Sequence, residues 1–138
     1  MPKARVFMGD VGSVLLGFVF AGLVVGLTRS MNDFVVLCSF LFPFYTDELI
    51  TEYVRLRDRE NLLTPHRRHV YQLLANEMGI AHWKVSVGYG ALQAAVGVGA
   101  LVVRGYGEGI LVGYLGACFV GFWIFGGRVR YRSADYAD

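Results

Sequence analysis

The chain alternates between long apolar runs and short polar interruptions, with one wide polar stretch near its middle. Between residues 11 and 28 no ionisable side chain occurs, and between 34 and 46 only Cys38 and Tyr45. Between 85 and 103 there is only Tyr89, and between 109 and 127 only Tyr114 and Cys118. A helix that crosses a bilayer needs about 20 mostly apolar residues at a rise of 1.5 Å each. The pattern predicts an all-α integral membrane protein with four transmembrane helices, at about 11–28, 34–54, 85–103 and 109–127. The second crosses only if its helix continues past Pro43, through Asp47 and Glu48, towards Val54.

Composition agrees: 55% of residues are hydrophobic and 17% charged, where soluble proteins carry roughly 25% charged residues. A soluble helical bundle is the rival, but 138 residues enclose too little interior to hide four such helices. The chain reads as one domain, without internal repeats or a low-complexity segment. No small-residue cleavage pattern follows the first apolar run, so it is not a secretory signal. Cys38 and Cys118 fall inside predicted spans and say nothing of the redox compartment.

The net charge of +2 matters less than its placement. Lys and Arg favour cytoplasmic loops. Lys3 and Arg5, then Arg55, Arg57, Arg59, Arg67, Arg68 and Lys84, then Arg128, Arg130 and Arg132 fall on one side of a four-span arrangement. Only Arg29 and Arg104 fall on the other. The count predicts cytoplasmic termini, a cytoplasmic loop at about 55–84, and short outer turns around 29–33 and 104–108. Within the loop, Thr64 reads as an N-cap, Pro65 as the first helical residue and Gly79 as the C′ position. Val70, Leu73, Leu74 and Met78 recur at helical spacing, so a short amphipathic helix is expected over 65–78. Ala91, Ala95 and Gly99, and likewise Gly113, Ala117 and Gly121, form small-residue stripes of the kind that pack membrane helices.

Three clusters offer chemistry. Asp10 stands at the mouth of the first span with Gly9, Gly12 and Ser13 beside it. A carboxylate there suits Mg²⁺, which takes one or two protein carboxylates plus phosphate oxygens; it equally suits a helix N-terminus. His66, Arg67, Arg68 and His69 crowd the first turns of the expected loop helix, where the dipole disfavours cations. A phosphate ligand would reverse that penalty through helix N–H groups and guanidinium forks. His66 and His69 share a face, but zinc would lack its remaining ligands, and a loop resting on anionic lipid explains the same charges. Asp47 and Glu48, with Thr51 and Arg55 beyond, are acids near a span and so functional suspects; local pairing with Arg55 or Arg57 is the alternative. Tyr71, Gln72, His82 and Trp83 read as loop packing and interfacial anchors, and Gln93 as a helix-to-helix hydrogen bond.

Three blocks together resemble a known family. They are Val6-Phe7-Met8-Gly9-Asp10-Val11-Gly12-Ser13 before an apolar helix, Asp47-Glu48-x-x-Thr51-x-x-x-Arg55-Leu56, and Thr64-Pro65-His66-Arg67-Arg68-His69-Val70-Tyr71-Gln72. In order, and between predicted spans, they resemble the C-terminal part of the polyprenyl-phosphate sugar-1-phosphate transferases, over most of residues 4–104. The resemblance implies an Mg²⁺-dependent bacterial inner-membrane enzyme of cell-wall or surface-polysaccharide (lipopolysaccharide) synthesis. It would pass N-acetylhexosamine-1-phosphate from a UDP-sugar to polyprenyl (undecaprenyl) phosphate and release UMP. Asp10 matches the metal-associated catalytic aspartate, and His66 and His69 the catalytic histidines. Arg67 and Arg68, with Gly9, Gly12 and Ser13, match substrate-binding positions. The Pro-His-Arg-x-His-x-Tyr-Gln form looks closer to the branch acting on UDP-N-acetylhexosamines for surface glycans than to the triple-His branch.

Family members are considerably longer and carry an early acidic pair, whereas no Asp-Asp occurs here. The expectation is a C-terminal fragment, inactive alone, that needs a missing N-terminal half or a second copy as partner. The rival is a non-catalytic membrane protein whose basic loop binds anionic lipid or a membrane subunit. Neither reading involves nucleic acid.

Overall fold

In a bilayer the backbone finds no partner but itself, so apolar runs of this length fold as helices. The computed structural model describes residues 9–64 and 67–135, among which there is no strand. The elements in chain order are α1 (Gly9–Leu27), α2 (Met31–Ser39), α3 (Phe42–Arg57), α4 (Val70–Gln72) with a π-helical turn (Leu73–Glu77), α5 (His82–Val103) with a 3-10 turn (Arg104–Tyr106), and α6 (Glu108–Asp135). Among the described residues three segments are long and apolar enough to cross a membrane: Gly9–Leu27, His82–Tyr106 and Glu108–Arg132. The protein is an all-α membrane protein.

The expected second span differs from a straight helix. Its two parts, α2 and α3, meet at 81°, so four spans result only if this bent pair counts as one. Pro43 supplies the reason. It has no N–H to offer, and its ring crowds the carbonyl four residues back. The chain closes the break with short-range bonds instead: Phe40 N–H to Leu37 O at 3.2 Å, Leu41 N–H to Cys38 O at 3.0 Å, and Phe44 N–H to Leu41 O at 3.1 Å.

α5 and α6 form a hairpin, turned at Gly107, whose φ of +113° suits glycine. α2 and α3 pack across this hairpin, while α1 rests mainly on α2 and buries only Val24. At the hairpin end, Ser30 caps α2 by accepting from the Asp33 N–H at 3.2 Å, and Arg104 reaches the Asp33 carboxylate at 3.1 Å. Val36, Ala100 and Leu111 make the core nearest this turn. A second core gathers Ile50, Val70, Tyr89, Phe122 and Val129 at the opposite end.

Two sequence expectations need correction. The loop helix begins at Val70, not at 65: Arg67, Arg68 and His69 precede it in non-helical backbone, while Pro65 and His66 lie outside the described residues. Its apolar face is nonetheless the expected one, with Val70 buried and Leu73, Leu74 and Met78 packed on the second core. Gly79 ends it at φ +65°, as its C′ reading requires. The small-residue stripes are also displaced. Ala91, Ala95, Gly113, Ala117 and Gly121 are exposed, and the buried small residues of α5 are Gly97 and Ala100. Gly97 faces the ring of Phe40 so closely that a β-carbon would lie 2.7 Å from it. Gly99, from the expected stripe, does meet a neighbour, the Tyr114 hydroxyl.

Candidate functional site

The chemistry-bearing residues collect where α3, α4, α5 and α6 converge, and Asp47 is their centre. It is 2% exposed. The bend before α3 aims it at the loop rather than along the second span. Its Oδ1 accepts from the Val70 N–H at 2.9 Å and the Thr51 hydroxyl at 3.3 Å. Its Oδ2 accepts from the Tyr89 hydroxyl at 2.9 Å and, at a longer 3.4 Å, from the Tyr71 N–H. Arg130 Nη2 donates to the Thr51 hydroxyl at 2.9 Å and stands 3.8 Å from Asp47 Oδ1. A buried carboxylate is costly unless charge and hydrogen bonds compensate it; here both do.

This geometry explains the late start of the loop helix. The orphan N–H groups of its first turn are satisfied by Asp47, a cap from 23 residues upstream. The helix start expected to cradle a phosphate is therefore already filled by a carboxylate. Arg68 likewise points at acids, Asp58 at 2.7 Å and Glu60 at 2.8 Å. Arg67 is exposed.

His69 sits directly before α4. Its imidazole stacks on Tyr71, with centroids 5.6 Å apart and planes 15° apart, and its Nε2 is 3.6 Å from Glu48 Oε2. Glu48, one residue from buried Asp47, turns outward. Burial, then the charges of Asp47 and of Glu48, push the Tyr71 phenol above its usual range, so it stays a neutral hydrogen-bonding group at neutral pH. Tyr71, Tyr89, Phe44, Ser86 and Gln93 line a cleft of about 230 Å³ beside this cluster. Gln93 thus faces a cleft, where a helix-to-helix bond had been expected.

Arg55, 1% exposed, is spent on the loop. It donates to Glu60 at 3.3 Å, Glu52 at 3.1 Å, Asn61 O at 2.7 Å, Thr64 O at 3.1 Å and Leu62 O at 3.4 Å. The expected local pairing of Asp47 or Glu48 with Arg55 or Arg57 does not form; Arg55 takes other acids, and Arg57 takes Asp58 at 3.8 Å.

Asp10 stands apart. It lies in the first turn of α1, exposed, and no hydrogen bond or ion pair ties its carboxylate to another described side chain. Ser13 bonds the Asp10 backbone oxygen at 2.9 Å. Gly9 opens the helix at φ +65°, a conformation that glycine adopts freely. The structure thus brings His69 together with Asp47, Glu48 and Thr51, but joins none of them to Asp10. Among the described residues no three His, Cys, Asp or Glu gather as a metal site. A single exposed carboxylate still fits Mg²⁺, which keeps waters and phosphate oxygens among its ligands.

The sequence reading missed Tyr89 and Arg130 as partners of Asp47. Tyr89 carried a signal, the lone ionisable group of its span. Arg130 had none beyond its part in the charge count.

Comparison with known proteins adds a partial similarity. Over 77 residues the chain is 34% identical to the undecaprenyl-phosphate alpha-N-acetylglucosaminyl 1-phosphate transferase of Haemophilus influenzae. The chain resembles a sugar-1-phosphate transferase. The match covers 53% of this chain and 21% of the relative, so it spans about a fifth of that transferase's length. No family model and no solved structure matches. The resemblance carried by the three sequence blocks is thus supported by a curated protein of that kind.

Proposed function

We propose that this chain forms part of a membrane transferase that moves N-acetylhexosamine-1-phosphate from a UDP-sugar to polyprenyl phosphate. The observation that carries the proposal is the 34% identity to the Haemophilus transferase. The clustering of His69, Glu48 and the basic loop beside a cleft at one end of the bundle supports it. An oxygen of the lipid phosphate attacks the sugar-bearing phosphorus of the donor; a new P–O bond forms as the bond to the bridging oxygen breaks, and UMP leaves. Such a transfer depends on positioning and charge neutralisation more than on covalent catalysis.

In this reading His69 and Arg67 attract the donor diphosphate, with His66 contributing from outside the described residues. Arg68 orders the loop through Asp58 and Glu60 and offers its remaining donors to the same anion. Asp10 would hold Mg²⁺ together with donor phosphate oxygens, with Gly9, Gly12 and Ser13 shaping the backbone beside it. The ion would supply charge neutralisation at the diphosphate. The basic loop faces the cytoplasm of a bacterial cell in this proposal, where nucleotide sugars are found, and the remaining wall of the site comes from a further segment or a second copy.

The test replaces the matched segment of the Haemophilus transferase with this chain and measures UMP release from UDP-N-acetylglucosamine with undecaprenyl phosphate and Mg²⁺. Activity is expected, with loss of at least about 100-fold for Asp10→Asn and for His69→Ala, the range for a group acting on the developing charge. A chimera that retains the host's fold but releases no UMP would favour a non-catalytic, lipid-binding protein. Full activity in Asp10→Asn would remove that residue from the site.

A further inference from the structure

We propose that Asp47 is a positioning residue, which holds the His69–Tyr71 segment in place and does so jointly with Tyr89 and Arg130. The catalytic consequence rests on the transferase reading above; the structural one does not.

The argument begins with what Asp47 has left to give. A carboxylate offers about four lone-pair sites. Val70 N–H, Thr51 hydroxyl, Tyr71 N–H and Tyr89 hydroxyl occupy them, each oxygen taking two donors. Nothing remains for a metal or a substrate, and 2% exposure leaves no route to either. Its work is therefore directed inward. Two of its four donors are backbone N–H groups of the residues that follow His69, so its position sets where the helix starts and where the imidazole emerges.

The carboxylate is itself held from the far side. Tyr89 reaches it from α5 and Arg130 from α6 through the Thr51 hydroxyl, 79 residues away in sequence. Gly126 lies beside this approach: a β-carbon there would stand 3.0 Å from both the Val70 side chain and the Arg130 guanidinium, tighter than ordinary contact. Four elements thus agree on one point, and the loop bearing His69 is pinned to the membrane helices at that point.

Hydrogen exchange on the full chain in lipid nanodiscs tests this directly. Asp47→Asn keeps the shape but presents an NH₂ donor to groups that are themselves donors. The Val70 and Tyr71 amides should then exchange about tenfold faster, the effect of losing one charge-assisted hydrogen bond. Amides of the hairpin core near Ala100 and Leu111 should keep their protection. Tyr89→Phe, which removes one hydrogen bond and little volume, should give a smaller acceleration confined to the same two amides. Unchanged exchange at Val70 and Tyr71 would overturn the proposal. So would equal acceleration at both ends of the molecule, which would mark a general structural role.

In the active chimera the kinetic reading is a double-mutant cycle on kcat. If Asp47 works through His69, Asp47→Asn combined with His69→Ala should be no slower than His69→Ala alone. Multiplying losses would overturn the positioning role. An inactive chimera counts against the transferase reading alone, and the exchange result still decides the role of Asp47.

Discussion

Arg59 shows how far single residues shape the loop. It closes α3 with φ +57°, a left-handed backbone that costs a side-chain-bearing residue about 1 kcal/mol. Glu60 N–H bonds Arg55 O at 2.9 Å and Arg59 N–H bonds Leu56 O at 3.1 Å, the paired closure usually made with glycine. Arg59→Gly should therefore stabilise the loop by about 0.5–1 kcal/mol, read as slower tryptic cleavage at the neighbouring Arg57. Arg55 works in the opposite sense. Arg55→Met removes all its bonds to residues 60–64 and should cost about 1–3 kcal/mol, seen as faster proteolysis of that segment; an unchanged rate would show that the loop holds itself. At this scale the sequence was half legible. It marked Asp47, Glu48 and Arg55 as acids and a base near a span, but spacing along one helix suggested that they pair with each other. Their partners are set by burial and by the 81° bend, neither of which is local.

Among the elements, the contact between the end of α2 and α5 is sensitive to size. Phe40 sits against the bare backbone of Gly97. Gly97→Ala forces the ring to move and should cost about 1–3 kcal/mol, measured as a lower unfolding temperature in nanodiscs. Phe40→Leu should recover part of the loss when combined with it. A Gly97→Ala variant as stable as the parent would mean that the ring yields freely. The apolar runs of the chain predicted its long helices well, since an apolar run in lipid has few other folds. It misplaced their contact faces, because glycine and alanine recur along several faces of α5 and α6 and spacing alone does not say which face meets a partner. The loop helix failed for a related reason. Thr64-Pro65 is a sound local start signal, but the capping carboxylate that prevails comes from another helix.

For the whole molecule, the two ends of the bundle carry opposite assignments. Leu63 is 91% exposed in the basic loop, and Tyr106 is 72% exposed at the α5–α6 turn. With Cys38 and Cys118 replaced by alanine, Leu63→Cys should react with an impermeant maleimide only from the cytoplasmic side. Tyr106→Cys should react only from the other. Labelling of both from one side would refute the transmembrane hairpin. The helical membrane architecture was the most legible feature of the sequence, because hydropathy is a sum over many residues and tolerates local error.

The reach of Arg130 to Thr51 has a consequence for how the protein is made. The two are 79 residues apart, and at about 5–20 residues per second a ribosome needs roughly 4–16 s to pass from one to the other. During that interval α3 and the loop have been made, but the helix that brings Arg130 to Asp47 has not yet been completed. Asp47 is without the Arg130 counter-charge until then, and α6 is the element that ends the wait.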